Sequence, residues 1–493
     1  MVGMAALIGV HGCATNPVTK KPEFVLMSEA RERDTGRHMA PEIRKSFGVY
    51  RSDRLQEYVS SVGQRIAAVS HRPDLLFDFK VLDSPVVNAF ALPGGFIFIT
   101  RGLLAYLNSE AELAGVLAHE AGHVTARHAV RQYTKLASYQ IGTGIAAIAV
   151  PGIADYAQLS GLVCMAITSG YSRKYEKEAD RLAVSYVAEA GYDPRAVASL
   201  LKTLDLLDRY ENGKKDYTSL FATHPRNETR IEAVEQAVRG AGADQMFSRG
   251  ELRGHYLERI DGIVFGDDIE QGVLAGNRFQ HPGFRIELFF PDAWSVHNAT
   301  DAVTATHPEK DLSIQLRVHH PSKRRDITEA VRHIADTLGL EEIAGSRESI
   351  NSTTAYVGSF SGRSNDRGFV RARVGFFLHR DRVFSVSGCC PVDAFEEASP
   401  YFEQTIRSFR MLSPAAAQKI QPNRVRLFRV KKKQRLADLM RVPGTGTGQT
   451  KTVSLLNGWN PDDPPLLVPG MIIKVIAAEP LDSGRALPEK SDD

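Results

Sequence analysis

The segment HEAGH places His119 and His123 four positions apart, with Glu120 next to the first histidine. On a helix, residues four apart lie one above the other on the same face, so these imidazoles can converge on one metal ion. Before the segment, Ser109 and Glu112 form a capping-box pattern, and apolar residues follow at helical spacing. The sequence therefore predicts that the segment lies on one helix from about residue 109 to residue 131.

The HEAGH spacing suits a zinc ion that binds a water molecule beside a general base. Zinc lowers the pKa of its bound water toward ~7, and Glu120 can take the proton during attack on a carbonyl. Two histidines are too few ligands, and residues 172–183, SRKYEKEADRLA, offer further carboxylates. Either Glu176 or Glu178 would complete a His2Glu set with an open position for water. The alternative is that these charges form a solvated helix face.

Four segments in the same order resemble a zinc metallopeptidase family that contains the CAAX prenyl protease, HtpX and BepA-like periplasmic proteases (peptidase family M48). They are NAFALPGGFIF at residues 88–98, HEAGH, SRKYEKEADRLA at residues 172–183, and the pair His224-Pro225. The resemblance covers roughly residues 25 to 240. It implies one zinc ion per chain with Glu176 as the third ligand, Asp180 as the partner of Glu176, and a mainly helical zincin-type domain.

The resemblance also gives residues 88–100 a role, as a strand along the active-site cleft to which a peptide substrate adds. The substrate-binding residues predicted in this way are Asn88, Ala89, Phe90, Gly95 and Phe96. Residues 96–99 form a β-prone run after the Pro-Gly-Gly breaker, which supports a strand. A plain core strand has the same pattern, so both interpretations remain open.

The family resemblance further implies that His224 approaches the zinc ion and occupies the water position in a resting state. The alternative is a turn residue before proline. Tyr171, Tyr175 and Arg230 are candidates for groups around the metal ligands, but core packing or a surface salt bridge is the interpretation we favour for each.

The first residues resemble a lipoprotein signal peptide. Residues 1–10 are apolar and lead to Cys13, which would become the acylated first residue of the mature chain. Ala14 after this cysteine resembles the pattern of lipoproteins sent to the outer membrane. We therefore expect a periplasmic protein with a lipid anchor in the outer membrane; the alternative is an apolar stub with an incidental cysteine.

Composition excludes some classes of protein. With 43% hydrophobic residues, 24% charged residues and a formal net charge of +3, the chain reads as ordinary globular protein. It has no basic stripe with interleaved aromatics, so we expect no nucleic-acid partner. The apolar stretch Ile141 to Thr168 is interrupted by Pro151, Gly152 and Asp155 before ~20 apolar residues accumulate, so it predicts no membrane span.

A length of 493 residues allows about three domains. The predicted fold class is α+β: a mainly helical metallopeptidase domain with a small edge-strand sheet, then an α+β domain, then a small LysM-like βα module. The predicted segments are a signal peptide at 1–13, the metallopeptidase domain at 25–240, the α+β domain of unknown role at 255–413, the LysM-like module at 423–477 and a disordered tail at 478–493.

Residues 423–477 resemble a LysM-like module in a strand, a helix beginning near Leu436, the Leu456-Asn457 step and the turn at residues 468–470 before a second strand. They depart from that pattern in an inserted stretch at residues 444–448 and in a lysine run at residues 431–433. The resemblance implies peptidoglycan binding. A small packing module without a glycan site is the alternative.

Together these patterns predict a zinc-dependent endopeptidase of the periplasm in which His119, His123 and Glu176 hold zinc and Glu120 activates water. The expected substrates are misfolded or unassembled cell-envelope proteins. The alternative is a chaperone-like or peptidoglycan-associated binding protein that keeps the metal site but rarely cleaves, because His224 or a lid occludes it.

Overall fold

A computed structural model of the protein describes residues 13–142, 170–211, 224, 228–240, 252–267, 269–298, 302–319, 326–364, 368–379, 382–440 and 449–477. The chain divides into two compact units. The first unit combines Met1–Phe265 with Arg424–Asp493, and the second is Gly266–Asn423. The predicted limits of the domains stay a prediction, but the C-terminal residues belong to the same compact unit as the HEAGH segment.

The first unit is mainly helical in the described residues. Its helices before residue 266 are α1 (Glu29–Phe47), α2 (Asp53–Ala68), α3 (Arg101–Tyr106), α4 (Glu110–Thr125), α5 (His128–Gly142), α6 (Arg173–Glu189), α7 (Arg195–Glu211), α8 (Glu228–Gly240) and α9 (Arg253–Ile260). Its strands there are β1 (Cys13–Thr15), β2 (Pro22–Phe24), β3 (Asp78–Leu82), β4 (Ala89–Leu92) and β5 (Phe96–Thr100). The β1 and β2 strands form an antiparallel pair, and β3, β5 and β4 form a sheet in that order.

Helix α4 carries the HEAGH segment, and its first turn is capped as predicted. The Ser109 hydroxyl accepts a hydrogen bond from the Glu112 backbone N–H at 3.1 Å. The Glu112 carboxylate reaches back and accepts the Asn108 backbone N–H at 2.7 Å. These bonds satisfy backbone donors that a helix start would otherwise leave unpaired.

Helix α4 ends at Thr125, so the prediction of one continuous helix to about residue 131 is wrong. Arg127 takes a left-handed conformation with a φ of 55°, and α5 starts at the next residue. The buried Arg127 guanidinium donates to the Glu32 carboxylate at 2.8 Å and to the Met27 carbonyl at 2.9 Å. Contacts with a distant part of the chain therefore fix a backbone conformation that is uncommon for a residue other than glycine.

Gly122 allows α4 and α6 to pack closely at the centre of the HEAGH segment. A Cβ atom at this position would lie 3.2 Å from the Ala179 carbonyl oxygen and 3.3 Å from the Leu182 Cβ. Because a larger residue would push the helices apart, this glycine holds the carboxylates of α6 near the histidines of α4.

The predicted cleft strand, residues 88–100, forms two strands of the first unit, β4 and β5. Strand β5 pairs with β3 on one side and with β4 on the other, and a turn with Gly94 and Gly95 at positive φ joins β4 to β5. Gly95 lies in the turn and Phe96 on the central strand, away from a sheet edge, and their predicted role in substrate binding stays a prediction. Among the described residues, β4 is one of the two outer strands of this sheet, and β3 is the other.

Two further boundaries of the first unit agree with the sequence. Helix α6 ends at Glu189, and Gly191 follows with a φ of 83°. The Asp193 carboxylate then accepts the Arg195 backbone N–H at 2.9 Å, which caps the start of α7.

The second unit is an α+β structure. Its elements are β6 (Val273–Ala275), β7 (Arg278–His281), β8 (Ile286–Phe289), β9 (Ser295–Asn298), β10 (Ala302–Thr306), β11 (Ser313–His319), α10 (Ile327–Leu338), β12 (Glu341–Ile350), β13 (Thr353–Ser364), β14 (Gly368–His379), β15 (Arg382–Pro391), a 3-10 turn (Val392–Ala394), α11 (Phe395–Ser408), β16 (Arg410–Met411) and α12 (Pro414–Gln418). One sheet has the order β12-β13-β14-β15-β11-β10-β9, and another the order β16-β8-β7-β6.

Helices α10 and α11 pack on opposite faces of the larger sheet. Phe376 and Phe377 follow each other on β14 and so point to opposite faces. Phe376 lies in a buried cluster with Ile327 of α10, whereas Phe377 lies in another with Phe402 of α11. Helix α10 starts directly after Asp326, and the Asp326 side chain caps it.

The chain then returns to the first unit through β17 (Arg424–Arg429), α13 (Leu436–Leu439), α14 (Gln449–Leu456) and β18 (Ile472–Ala477), with β17 and β18 antiparallel. The Asn457 side chain accepts the Lys474 backbone N–H at 2.9 Å and donates to the Lys474 carbonyl at 2.8 Å. The strand, the helix at Leu436 and the second strand agree with the predicted elements. The likeness to LysM and peptidoglycan binding remain predictions.

Lys474 fastens this C-terminal part to the start of the HEAGH helix. Its side chain is fully buried, and Nζ donates to the carbonyls of Ala105 and Leu107 at 2.8 and 2.7 Å. Leu455 of α14 lies in the same hydrophobic core as Leu113 of α4. The loop between α3 and α4 is therefore held by residues from the far end of the chain.

None of the helices in the described ranges is both long and apolar enough to cross a membrane. Most of the apolar stretch at residues 141–168 and all of the predicted tail at 478–493 lie outside the described residues. Cys13, the predicted lipidation site, is the first residue of β1.

Candidate active site

His119 and His123 project from one face of α4 and bring their ring nitrogens together. The two Nε2 atoms lie 3.0 Å apart. His123 is buried, and only 12% of the His119 side chain is exposed. Helical spacing thus produces the convergence that the sequence predicted.

Helix α6 supplies the carboxylate that completes this group. Glu176 Oε1 lies 3.4 Å from His123 Nε2, and Glu176 Oε2 lies 3.6 Å from His119 Nε2. Glu178, the alternative left open by the sequence, instead contacts His128 at 3.3 Å and Arg131 at 3.2 Å. The structure therefore brings Glu176, and not Glu178, to the two histidines.

His224 adds a fourth possible ligand atom, and a third nitrogen, to the same group. Its Nδ1 atom lies 3.1 Å from Glu176 Oε1 and 3.3 Å from His119 Nε2. One ligand atom from each of His119, His123, Glu176 and His224 lies within 4.8 Å of all the others. His224 is buried here, and its approach to the other three residues agrees with the position that the resemblance implies.

Asp180 and Arg230 lie behind the ligand group and contact His119 and Glu176. His119 Nδ1 lies 3.1 Å from Asp180 Oδ1, so the nitrogen that faces away from the group is held by a carboxylate. Arg230 of α8 binds Asp180 through two parallel contacts of 2.8 Å and places NH1 3.0 Å from Glu176 Oε2. Arg230 therefore has neither of the roles that we favoured, core packing or a surface salt bridge, because its buried guanidinium joins two of the site carboxylates.

Glu120 lies beside the group without being part of it. Its Oε1 atom is 3.6 Å from His224 Nε2. Its Oε2 atom is buried and has no hydrogen-bond partner among the described residues. Burial raises the pKa of this carboxyl above its ordinary value, although the neighbouring His224 and His119 oppose the rise. A carboxyl of this kind can accept a proton from a water molecule held next to it.

The histidines of the group differ in their proton affinity. Burial disfavours the charged form of His119, but contacts with Asp180 and Glu176 outweigh burial and raise its pKa to about 10. Burial holds the pKa of His123 well below its ordinary value. His119 is therefore protonated at neutral pH, whereas His123 is neutral.

The two carboxylates of α6 stay ionised in spite of their burial. Desolvation raises the pKa of Glu176, but its contacts with His224, His119 and His123 outweigh desolvation and hold the pKa well below the ordinary value. Desolvation acts in the same way on Asp180, and Arg230 outweighs it, so the pKa of Asp180 is lowered as well. These oxygens are thus available as acceptors and as metal ligands.

Sequence reasoning missed His128. This residue is fully buried, and its Nδ1 lies 2.9 Å from Nδ1 of His123. The signal for it in the sequence is the third histidine of the run HEAGHVTARH. A continuous helix would have directed this side chain away from His123. Tyr171 stacks on His123 with ring centroids 4.2 Å apart, so its packing role is also a contact with the site.

The outer strand β4 reaches the neighbourhood of the histidines. Ala91 and Leu92 line a small cavity together with His123 and Tyr171. Ala89 and Phe90 belong to the same strand, whereas Asn88 precedes it and receives the Thr100 backbone N–H at 3.0 Å. Of the residues predicted for the substrate strand, Ala89 and Phe90 alone are on the outer strand.

Comparison with known proteins agrees with this geometry. Residues 53–238 match the description Peptidase family M48. This part of the chain is an M48 peptidase domain. It spans β3 to β5 and helices α2 to α8, and so contains the whole ligand group.

The proteins to which this chain is similar include the following three. Mitochondrial metalloendopeptidase OMA1 of Schizosaccharomyces pombe is 36% identical over 183 residues, which are 36% of this chain and 52% of that protein. A putative beta-barrel assembly-enhancing protease of Vibrio cholerae is 34% identical, covering 40% and 42% of the two chains. The beta-barrel assembly-enhancing protease of Escherichia coli K12 is 26% identical, covering 42% and 43%. The chain thus spans about half the length of the relatives it matches.

M48 peptidases depend on a metal ion, typically zinc, and the residues of this site fit one. Two imidazole nitrogens and one carboxylate oxygen are the donor set of a catalytic zinc site. In addition, the outward nitrogens of His119 and His123 are both engaged by other buried groups, which leaves their Nε2 atoms for the ion.

Zinc binding should release at least one proton at neutral pH. The proton on His119 Nε2 occupies the position of the metal and must leave, because metal ligands are deprotonated. Since the pKa of His119 is about 10, the zinc affinity should rise about tenfold for each pH unit between pH 7 and pH 9. Calorimetry in buffers of different ionisation enthalpy measures the number of protons released.

The variant Asp180→Asn provides the matched control. It keeps the size of the side chain but removes the charge that holds the proton on His119, so fewer protons should be released. Zinc binding to the unchanged protein without proton release would contradict the protonation state derived for this site.

Proposed function

We propose that the protein is a zinc-dependent endopeptidase. The observation that carries this proposal is the buried group of His119, His123, Glu176 and His224 with Glu120 beside it. In the proposed arrangement His119, His123 and Glu176 hold the ion, and Glu120 is the general base. No other group of three or more possible metal ligands was found among the described residues.

Zinc supplies a Lewis acid and lowers the pKa of a bound water molecule toward ~7. The protein contributes the remaining parts. Glu120, whose pKa is raised by burial, takes the proton of the attacking water and can pass it to the leaving amine. Asp180 and Arg230 hold His119 and Glu176 in place, so the ligand set needs little rearrangement.

The outer strand β4 supports peptides as the substrate class. An extended segment that adds to a sheet edge gains main-chain hydrogen bonds with little demand on its side chains. Strand β4 has such an edge in the described part of the sheet, and its Ala91 and Leu92 reach the cavity beside His123. This mode favours unfolded polypeptides over folded ones, because only an unfolded segment can pair along its length.

Misfolded or unassembled cell-envelope proteins are the substrates we propose. The names of the relatives from Vibrio cholerae and Escherichia coli, beta-barrel assembly-enhancing proteases, support this choice. The apolar residues 1–10 before Cys13 support a lipid anchor and a location in the periplasm at the outer membrane. Peptidoglycan binding by residues 423–477 is part of the same proposal and rests on their LysM-like sequence.

Replacing the base should separate chemistry from metal binding. In Glu120→Gln the ligands stay, so zinc content should equal that of the unchanged protein, while cleavage of casein should fall by ~10²- to 10⁴-fold. Glu189→Gln, which changes an exposed glutamate of α6, is the matched control and should cleave normally. Equal cleavage by the Glu120→Gln variant would refute the assigned role.

A second candidate function is a binding protein whose metal site is closed at rest. The observation that favours it is the buried position of His224, whose Nδ1 lies 3.1 Å from Glu176. As a fourth ligand, His224 would fill the position that a catalytic site leaves open for water. The protein would then hold unfolded partners along β4 and cleave rarely.

The variant His224→Ala distinguishes these candidates. If His224 closes the site, its removal should raise casein cleavage by up to roughly tenfold, as expected when a competing state that holds about nine-tenths of the molecules is lost. Zinc should be retained through the other three ligands. His333→Ala, an exposed histidine on α10, is the control. Lower cleavage by His224→Ala would show that His224 assists the reaction.

A further inference from the structure

The ring of His123 is held from behind by a second histidine. His123 and His128 are both buried, and their Nδ1 atoms lie 2.9 Å apart. His128 Nε2 then lies 3.3 Å from Glu178 Oε2. The three residues thus form a continuous chain of polar contacts that leads away from the metal-ligand group.

The break between α4 and α5 makes this chain possible. In a continuous helix, two residues five positions apart are rotated by about 140° about the axis, so His128 would face away from His123. The left-handed conformation of Arg127 turns the backbone, and α5 starts with His128 directed at His123. Buried contacts from Arg127 to Glu32 and Met27 keep the turn in place.

Metal binding allows one arrangement of protons along this chain. When Nε2 of His123 is a ligand, its proton lies on Nδ1, which must donate. His128 Nδ1 is then the acceptor, so the proton of His128 lies on Nε2. That proton points to the Glu178 carboxylate, which accepts it. Each donor meets an acceptor, and the tautomers of both histidines follow from the geometry.

Glu178 is itself fixed at the end of the chain. Arg131 NH1 lies 3.2 Å from its Oε2, and the Arg131 guanidinium covers the Tyr175 ring at 4.5 Å. Tyr175 stacks on His128 with centroids 4.5 Å apart. The side chains around His128 therefore leave it little freedom to rotate away from His123.

We propose that His128 and Glu178 form a positioning relay for the zinc ligand His123. The relay fixes the tautomer and the ring plane of His123 and increases the electron density at its Nε2. His119 receives the same support directly from Asp180, so each histidine ligand has its own carboxylate, one reached through an intervening histidine. This inference rests on the proposed zinc site.

The zinc affinity of variants tests whether the relay supports His123. Competition with a chelator at fixed pH should show that His128→Leu weakens zinc binding by ~10- to 100-fold, because such partners of ligands typically have this effect. His128→Asn can still accept from His123 and donate toward Glu178, and it should recover much of the loss. The absorption spectrum of bound cobalt should shift in His128→Leu and return toward the original in His128→Asn.

His333→Leu is the matched control, because it makes the same substitution at an exposed histidine of α10, outside the relay. It should bind zinc with unchanged affinity. Thermal unfolding of the metal-free variants shows whether each one folds. If His128→Leu does not fold, Glu178→Ala takes its place, and it should weaken zinc binding by about tenfold.

Two results have different meanings. If the unchanged protein binds no zinc, the proposed function fails, and the relay fails with it. If the unchanged protein binds zinc and the folded His128→Leu, or Glu178→Ala in its place, binds equally well with the same cobalt spectrum, the relay is refuted while the zinc site stands.

Discussion

The buried charges around HEAGH must balance, and the rest of the site depends on that balance. Glu120, Glu176 and Asp180 bring three carboxylates into one buried region, and Arg230 brings one guanidinium. The two remaining negative charges are what a divalent cation neutralises. Unpaired buried charges are costly, so a metal ion and the fold stabilise each other here.

Without the ion, a proton offsets part of this negative charge. The pKa of His119 rises to about 10, so His119 is positively charged at neutral pH, and burial raises the pKa of Glu120. Arg230 is central because its single positive charge contacts both Asp180 and Glu176.

Much of this site was predicted from local sequence. The spacing of His119 and His123, the cap at Ser109 and the carboxylates of α6 all depend on helix geometry, which a few neighbouring residues determine. The choice between Glu176 and Glu178 was not local. It required the packing of α4 on α6, in which Gly122 sets the approach.

The features that were missed depend on contacts between distant residues. Arg127 ends α4 because Glu32 and Met27, about a hundred residues earlier, bind its side chain. The order of strands in the first sheet likewise follows from pairing that no local pattern encodes. Lys474 contacts the loop before α4, although more than 360 residues of sequence separate them. The C-terminal part therefore supports the site, in addition to any role in binding a partner.

A crystal structure of the zinc-loaded protein, with anomalous differences recorded at the zinc edge, tests the account most directly. It should show one zinc peak about 2.0–2.2 Å from Nε2 of His119, Nε2 of His123 and an oxygen of Glu176, with Asp180 off the metal and bound to Arg230. A zinc peak at Glu178 and His128, or a site in which Asp180 replaces Glu176, would contradict it.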